Sequence, residues 1–219
     1  MPNVLITGAA RGLGLEFARQ YKAAGWDVIA TARKASDELA ALGVTTHTLD
    51  VADFAAVEAF GRAQDGPLDL LIANAGIATP FEVKSPADGE AWVETFRVNS
   101  IAPVLLAQAL MPRLGKAKGK AIAITSQMGS IADSSTGWIA YRASKAALNM
   151  GWHVLANEAA GQGVTFAMLH PGWVQTDMGG PNASIDAATS VGGMRRVIDG
   201  LEVGDNGRFL TYDGKELPW

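Results

Sequence analysis

Asn3-Val4-Leu5-Ile6-Thr7-Gly8-Ala9-Ala10-Arg11-Gly12-Leu13-Gly14 is a short apolar run that breaks into three closely spaced glycines. It then continues as the amphipathic segment Gly12–Ala24. A buried strand, a tight turn and a helix are the expected products. Glycines in such a turn permit positive φ and let the backbone approach a pyrophosphate. The helix that follows aims its first amides and the positive end of its dipole at the same point. The spacing is G-x-x-x-G-x-G rather than the general dinucleotide fingerprint G-x-G-x-x-G, so by itself the turn could equally be a bare strand-to-helix connection.

The same alternation repeats along the chain. Strands are expected at Asn3–Ile6, Asp27–Ala32, Thr45–Leu49, Leu68–Ala73, Lys120–Thr125, Val164–Leu169 and Arg208–Thr211. Helices are expected at Gly12–Ala24, Ser36–Ala41, Ala52–Ala63, Gly89–Leu114, Ile139–Ala160 and Asp186–Gly200. Most of the strand runs are continuously apolar, as in strands covered on both faces. The expectation is a single α/β domain over residues 1–219: a doubly wound parallel sheet of about seven strands with helices on both faces. In such sheets ligands sit at the carboxyl ends of the strands, which makes the residues just after each apolar run the informative ones.

Composition narrows the function. Net charge is -4 over 219 residues, which offers no basic surface for nucleic acid or an anionic membrane. No cysteine is present, so disulfides and thiolate metal sites are excluded, and no ligand cluster suggests another metal. There is no apolar stretch of membrane-spanning length and no targeting segment at the N-terminus, so a cytoplasmic protein is expected. The G-x-S-x-G elbow of a hydrolase is missing, and His47, His153 and His170 suggest no triad.

After the second run the chain reads Ala30-Thr31-Ala32-Arg33-Lys34, with no carboxylate until Asp37. An acidic residue there would serve the ribose 2′-hydroxyl of NAD. A guanidinium suits a 2′-phosphate instead. NADP(H) is therefore expected rather than NAD(H), clamped by Arg33 and Arg11. The fourth run ends in Asn74-Ala75-Gly76, small enough to leave room for cofactor.

Tyr141-Arg142-Ala143-Ser144-Lys145 opens a long helix, and four-residue spacing puts the phenol and the ammonium on one face. Free tyrosine titrates near 10. A neighbouring ammonium, and the positive ring of an oxidised nicotinamide, are expected to lower that value and suit Tyr141 to general acid-base work. Ser126 follows the fifth run and can donate to a carbonyl oxygen, with Ser130, Ser134 and Ser135 as competitors in the same loop. Pro103, four residues after Asn99, has no N–H for the Asn99 carbonyl and should kink the helix there. A relay from Tyr141 through Lys145 and a water to that carbonyl follows as an inference.

Together these residues resemble the short-chain dehydrogenase/reductase family. They are Thr7–Gly14, Asn74-Ala75-Gly76, Asn99, Ser126, Tyr141-x-x-x-Lys145 and Pro171-Gly172-Trp173-Val174-Gln175-Thr176, in the family order and over nearly the whole chain. The resemblance implies a Rossmann-type fold with Asn99, Ser126, Tyr141 and Lys145 as catalytic tetrad. It places Gly8, Arg11, Gly12, Leu13 and Gly14 at the cofactor with Arg33, Asp50-Val51, Asn74, Ala75 and Gly76, then Tyr141, Lys145, Pro171, Gly172, Val174 and Thr176. The stretches Gln127–Asp133 and His170–Asn182 and the ending Tyr212–Trp219 resemble the C-factor and sniffer-type carbonyl reductase branch. In most of the family the serine lies thirteen residues before the tyrosine; here Met128 holds that position and Ser126 is fifteen before.

The implied activity is hydride transfer between NADP(H) and a small carbonyl or alcohol, with aldehyde or ketone reduction in view. Also implied are a homodimer or homotetramer through the two long helices and a short substrate lid around 177–190. An open pocket lined by Met128, Trp138, Trp173 and Met178 is expected. Trp26, Trp92 and Trp152 read as ordinary core or interface residues, and Trp219 as a pin for the C-terminus near the cleft or at a dimer contact. A reading of another class, an NADP(H)-binding signalling or regulatory protein of C-factor type with little turnover, stands beside the enzyme.

Overall fold

The computed structural model describes residues 1–78 and 82–219. Seven parallel strands form one sheet: β1 (Asn3–Thr7), β2 (Asp27–Ala32), β3 (Thr45–Thr48), β4 (Leu70–Ala73), β5 (Lys120–Ile124), β6 (Thr165–His170) and β7 (Arg208–Thr211). Their order is β3-β2-β1-β4-β5-β6-β7. The chain starts mid-sheet, winds outward to β3, then returns beside β1 and winds the other way. The doubly wound parallel sheet of seven strands is thus as the sequence predicts. The reversal between β1 and β4 opens a crevice at the carboxyl edge, the position where such sheets bind ligands.

The helices are α1 (Gly12–Ala23), α2 (Asp37–Ala41), α3 (Phe54–Ala63), α4 (Pro86–Phe96), α5 (Ala102–Ala117), α6 (Ile139–Glu158) and α7 (Ala187–Gly200). Alternate residues of each strand serve opposite faces. Val4 and Ile6 pack with Phe17 and Tyr21 of α1 and Met194 of α7. Leu5 and Leu71 pack with Leu106 and Leu110 of α5 and Trp152 of α6. Trp152 is fully buried, and its indole donates to the Ala121 carbonyl at 3.1 Å. No described helix is long and apolar enough to cross a membrane.

One element departs from the sequence reading. In place of a single helix over Gly89–Leu114, the chain starts α4 at Pro86 behind a Ser85–Asp88 capping box. It then makes a π-helical segment, Arg97–Ile101, before α5 runs on to Ala117. Serine at the N-cap with an acidic N3 partner satisfies two orphan backbone donors, so the helix can begin earlier than its apolar pattern. The π segment lies just before Pro103, where the missing N–H disrupts the ladder, and there Ala102 N–H donates to Arg97 C=O.

Candidate active site

A cleft of about 850 Å³ opens over the crossover between β1 and β4. Its floor is the glycine-rich turn. Gly8 (φ 69°) and Gly12 (φ 55°) adopt left-handed backbone that favours glycine. Gly14 has a different reason: a Cβ there would stand 2.3 Å from the Gly8 carbonyl oxygen. Arg11, the N-cap of α1, makes no side-chain capping bond, and the first turn holds no acidic residue, so the helix end presents bare amides to an anion.

Asn74 stands at the end of β4 and does more than leave space. Its amide donates to the Thr7 and Gly8 carbonyls at 2.9 and 3.2 Å, and the Thr7 hydroxyl accepts from Asn74 N–H and Ala75 N–H. The exits of β1 and β4 are thereby stitched together, and the turn is held in shape.

Gly8, Arg11, Gly12, Leu13, Arg33, Asp50, Val51, Asn74, Ala75, Gly76, Tyr141, Lys145, Pro171 and Thr176 all line the cleft. Gly14, Asn99, Ser126, Gly172 and Val174 stand behind its wall. Gly172 packs against Ile185 and Tyr212, and Val174 bridges to Ile185. Of the four residues expected to line an open pocket, only Met178 is in this lining. Trp173 lies on the surface, its indole donating to the Gly179 carbonyl at 2.8 Å.

The two arginines differ. Arg33 lies at the β2 exit, and no ion pair engages it among the described residues. Arg11 is paired with Asp177 of the loop after β6. The acidic partner lies in the same cleft and was not foreseen from the sequence.

Tyr141, Lys145 and Ser126 come together at the mouth of β5. The Ser126 side chain faces the Tyr141 phenol, and its oxygen accepts from Met128 N–H at 3.1 Å. Burial raises the Tyr141 pKa above its ordinary value, and the Ser126 hydroxyl opposes the rise. The expectation that Lys145 lowers it is not met. Its Nζ donates to the Ile124 carbonyl at 2.9 Å and stands 5.8 Å from the Tyr141 ring centroid. Burial pulls Lys145 itself down to about 8.

Asn99 is buried in the π segment, and its side chain locks the chain after β4. It accepts from Ile77 N–H and donates to Ile77 C=O, both at 2.8 Å. It also donates at 3.0 Å to the Ser144 hydroxyl, which in turn donates to the Tyr141 carbonyl at 2.8 Å. Ser144 was overlooked in the sequence, although it sits between Tyr141 and Lys145 on the same helix.

Trp219 packs its ring on His153 and Phe209, at 5.1 and 5.7 Å between centroids, and its carbonyl accepts from Ala132 N–H in the loop after Ser126. The C-terminus is therefore pinned beside the serine loop.

The family model for short chain dehydrogenases matches residues 2–185. The chain belongs to the short-chain dehydrogenase family. Relatives place the chain more finely within that family. It is 44% identical over 156 residues to C-signal of Myxococcus xanthus, an alignment covering 70% of this chain and 94% of that protein. The carbonyl reductase Sniffer of D. melanogaster superposes with a TM-score of 0.92 at 31% identity, covering both chains fully. An NADPH-bound carbonyl reductase from chicken fatty liver superposes with a TM-score of 0.89 at 34% identity, over 100% of this chain and 99% of that one.

Proposed function

We propose that the chain is an NADP(H)-dependent oxidoreductase that reduces aldehyde or ketone carbonyls, with cofactor cradle and catalytic residues in one domain. The observation that carries the reading is the meeting of Ser126, Tyr141 and the buried Lys145 at the edge of a glycine-floored cleft.

The residues fit a dinucleotide. The bare amides of α1 suit a pyrophosphate, and Arg33 with Lys34 suits a 2′-phosphate where NAD would require a carboxylate. The NADPH in the chicken reductase favours the same cofactor. Bound there, the reduced nicotinamide supplies the hydride. Lys145 would hold the ribose hydroxyls, Thr176 the carboxamide side with Val174 behind it, and Asp50-Val51 would border the adenine.

Tyr141 gives the substrate oxygen its proton. Burial keeps the phenol protonated at neutral pH, which suits reduction. Ser126 gives its one hydroxyl proton to that oxygen in the bond-forming step, and can turn it to the phenolate once Tyr141 has given up its own proton. Lys145, brought to about 8 by burial, returns the proton from a water held by the Asn99 carbonyl. The loop closed by the Val174–Ile185 bridge serves as the short lid. Assembly as a homodimer or homotetramer through α5 and α6 completes the proposal.

The test is NADPH oxidation with a panel of aldehydes, ketones and quinones, repeated with Tyr141→Phe. Turnover should vanish in the variant while NADPH still binds. Near wild-type activity in the variant overturns the mechanism. The likeness to C-signal favours a second reading, an NADP(H)-binding signalling protein; tight NADPH binding with no turnover of any panel member by the wild type would select it.

A further inference from the structure

Three successive residues leave β5, and α6 holds each of them. Lys145 donates to the Ile124 carbonyl at 2.9 Å. The Thr125 hydroxyl donates to Asn149 Oδ1 at 2.7 Å. Ser126 faces Tyr141. Tyr141, Lys145 and Asn149 recur every four residues and so share one face of the helix.

The contact around Asn149 is close. Asn149 and Thr125 are each 2% exposed. In the turn that follows Ser126, a Cβ on Gly129 would stand 3.0 Å from Asn149 Nδ2 and 2.9 Å from the Lys145 carbonyl carbon. The turn thus lies directly on α6, with no room for a side chain between them. Among the described residues, Asn149 Nδ2 is itself buried without a partner. A buried unpaired amide is unfavourable, and leucine would fill the same space without it. What asparagine supplies here is the acceptor for Thr125.

We propose that Asn149 is a positioning residue which, through Thr125, fixes the exit of β5 so that the Ser126 hydroxyl meets that of Tyr141. The proposal rests on the reading of Tyr141 and Ser126 as the proton-donating pair. It also accounts for a serine fifteen residues before the tyrosine: Ser126 is held by its immediate neighbour Thr125, and the 3-10 turn Gln127–Gly129 takes up the chain beyond it.

The test uses Thr125→Val, which is nearly isosteric, Asn149→Leu, and Thr125→Ser, which restores the hydroxyl. The chain has three tyrosines, so Tyr141 ionisation is readable by phenolate absorbance of the cofactor-free protein against Tyr141→Phe. Displacing the Ser126 hydroxyl from Tyr141 should move that ionisation upward by about half a unit or more in Thr125→Val and Asn149→Leu. It should also lower kcat by about tenfold, with the NADPH Kd within about twofold of wild type. Thr125→Ser should return both. In a Ser126→Ala background, Asn149→Leu should cost nothing further in kcat, because its effect passes through Ser126.

An unmoved Tyr141 ionisation, or a full tenfold loss added on top of Ser126→Ala, overturns the proposal. If Ser126→Ala and Tyr141→Phe impair turnover but Thr125→Val does not, this inference alone fails. If Tyr141→Phe keeps its turnover, the underlying reading fails first.

Discussion

Lys145 Nζ donates to the Ile124 carbonyl at 2.9 Å, and its side chain is buried. Burial is the cause of its low pKa, about 8 against 10.5 for the free side chain. Between those values the unfolded chain binds a proton that the folded chain does not, so stability should rise with pH over that window. The whole effect is about 3 kcal/mol. Tyr141 acts in the opposite sense, but only above its ordinary value of 10, because its folded pKa is raised. Urea midpoints at pH 7, 8, 9 and 10 should therefore climb in the wild type and climb less in Lys145→Met, where only Lys120, also lowered by burial, adds to the rise. A flat wild-type series would mean that the lysine is not dehydrated as described.

His170 predicts acid lability by the same logic. It closes β6, its Nδ1 is buried without a partner among the described residues, and burial lowers its pKa to about 4 from 6.5. The neutral ring contributes its stability in full above pH 6.5. That contribution is lost as pH falls towards 4, because the unfolded chain takes up the proton first, and it amounts to about 3 kcal/mol. Thermal melts from pH 7 to 4 should fall steeply in the wild type and less steeply in His170→Gln. Parallel curves for the two proteins would count against the assignment.

Cofactor choice should rest on Arg33 more than on Arg11. Arg33 has no ion-pair partner among the described residues, whereas Arg11 is held by Asp177. Arg33→Ala should weaken NADPH binding by about 2 kcal/mol while leaving NADH nearly unchanged, since a charge-assisted bond to the 2′-phosphate is lost. Arg11→Ala should cost less. Kd values for both cofactors, measured by fluorescence, decide it; equal losses for NADPH and NADH in Arg33→Ala would remove the 2′-phosphate clamp.

Much of the fold was legible because buried parallel strands write themselves as apolar runs, and six helices were found between them. The long helix was misread where its physics is not periodic: a Ser85 cap starts it early, and a π turn ahead of Pro103 divides it. At the site, residues with chemistry at the ends of strands were readable. Partners set by tertiary packing were not, as with Asp177 on Arg11, Ser144 between Asn99 and Tyr141, and Asn149 on Thr125. The sign of the Tyr141 shift was misjudged for a related reason. Sequence spacing shows that Lys145 is near, but not that burial raises the phenol.

Two glycines separate cradle geometry from helix propensity. At Gly14 a new Cβ would meet the Gly8 carbonyl oxygen at 2.3 Å and Asn74 Nδ2 at 2.6 Å, both parts of the stitched turn. Neither is the end of a flexible chain, so Gly14→Ala must push the turn away from α1. At Gly89, inside α4, a Cβ would meet nothing within 4 Å. Gly89→Ala should therefore stabilise the chain by about 0.5–1 kcal/mol through helix propensity, with NADPH binding unaltered. Gly14→Ala should lose about 2 kcal/mol of stability or more as packing is strained, and its NADPH Kd should rise by at least about tenfold because the amides no longer converge on the pyrophosphate. Melting curves and NADPH titrations on the two variants, side by side, test the pair. Unimpaired NADPH binding in a folded Gly14→Ala protein would show that the turn is not the phosphate cradle.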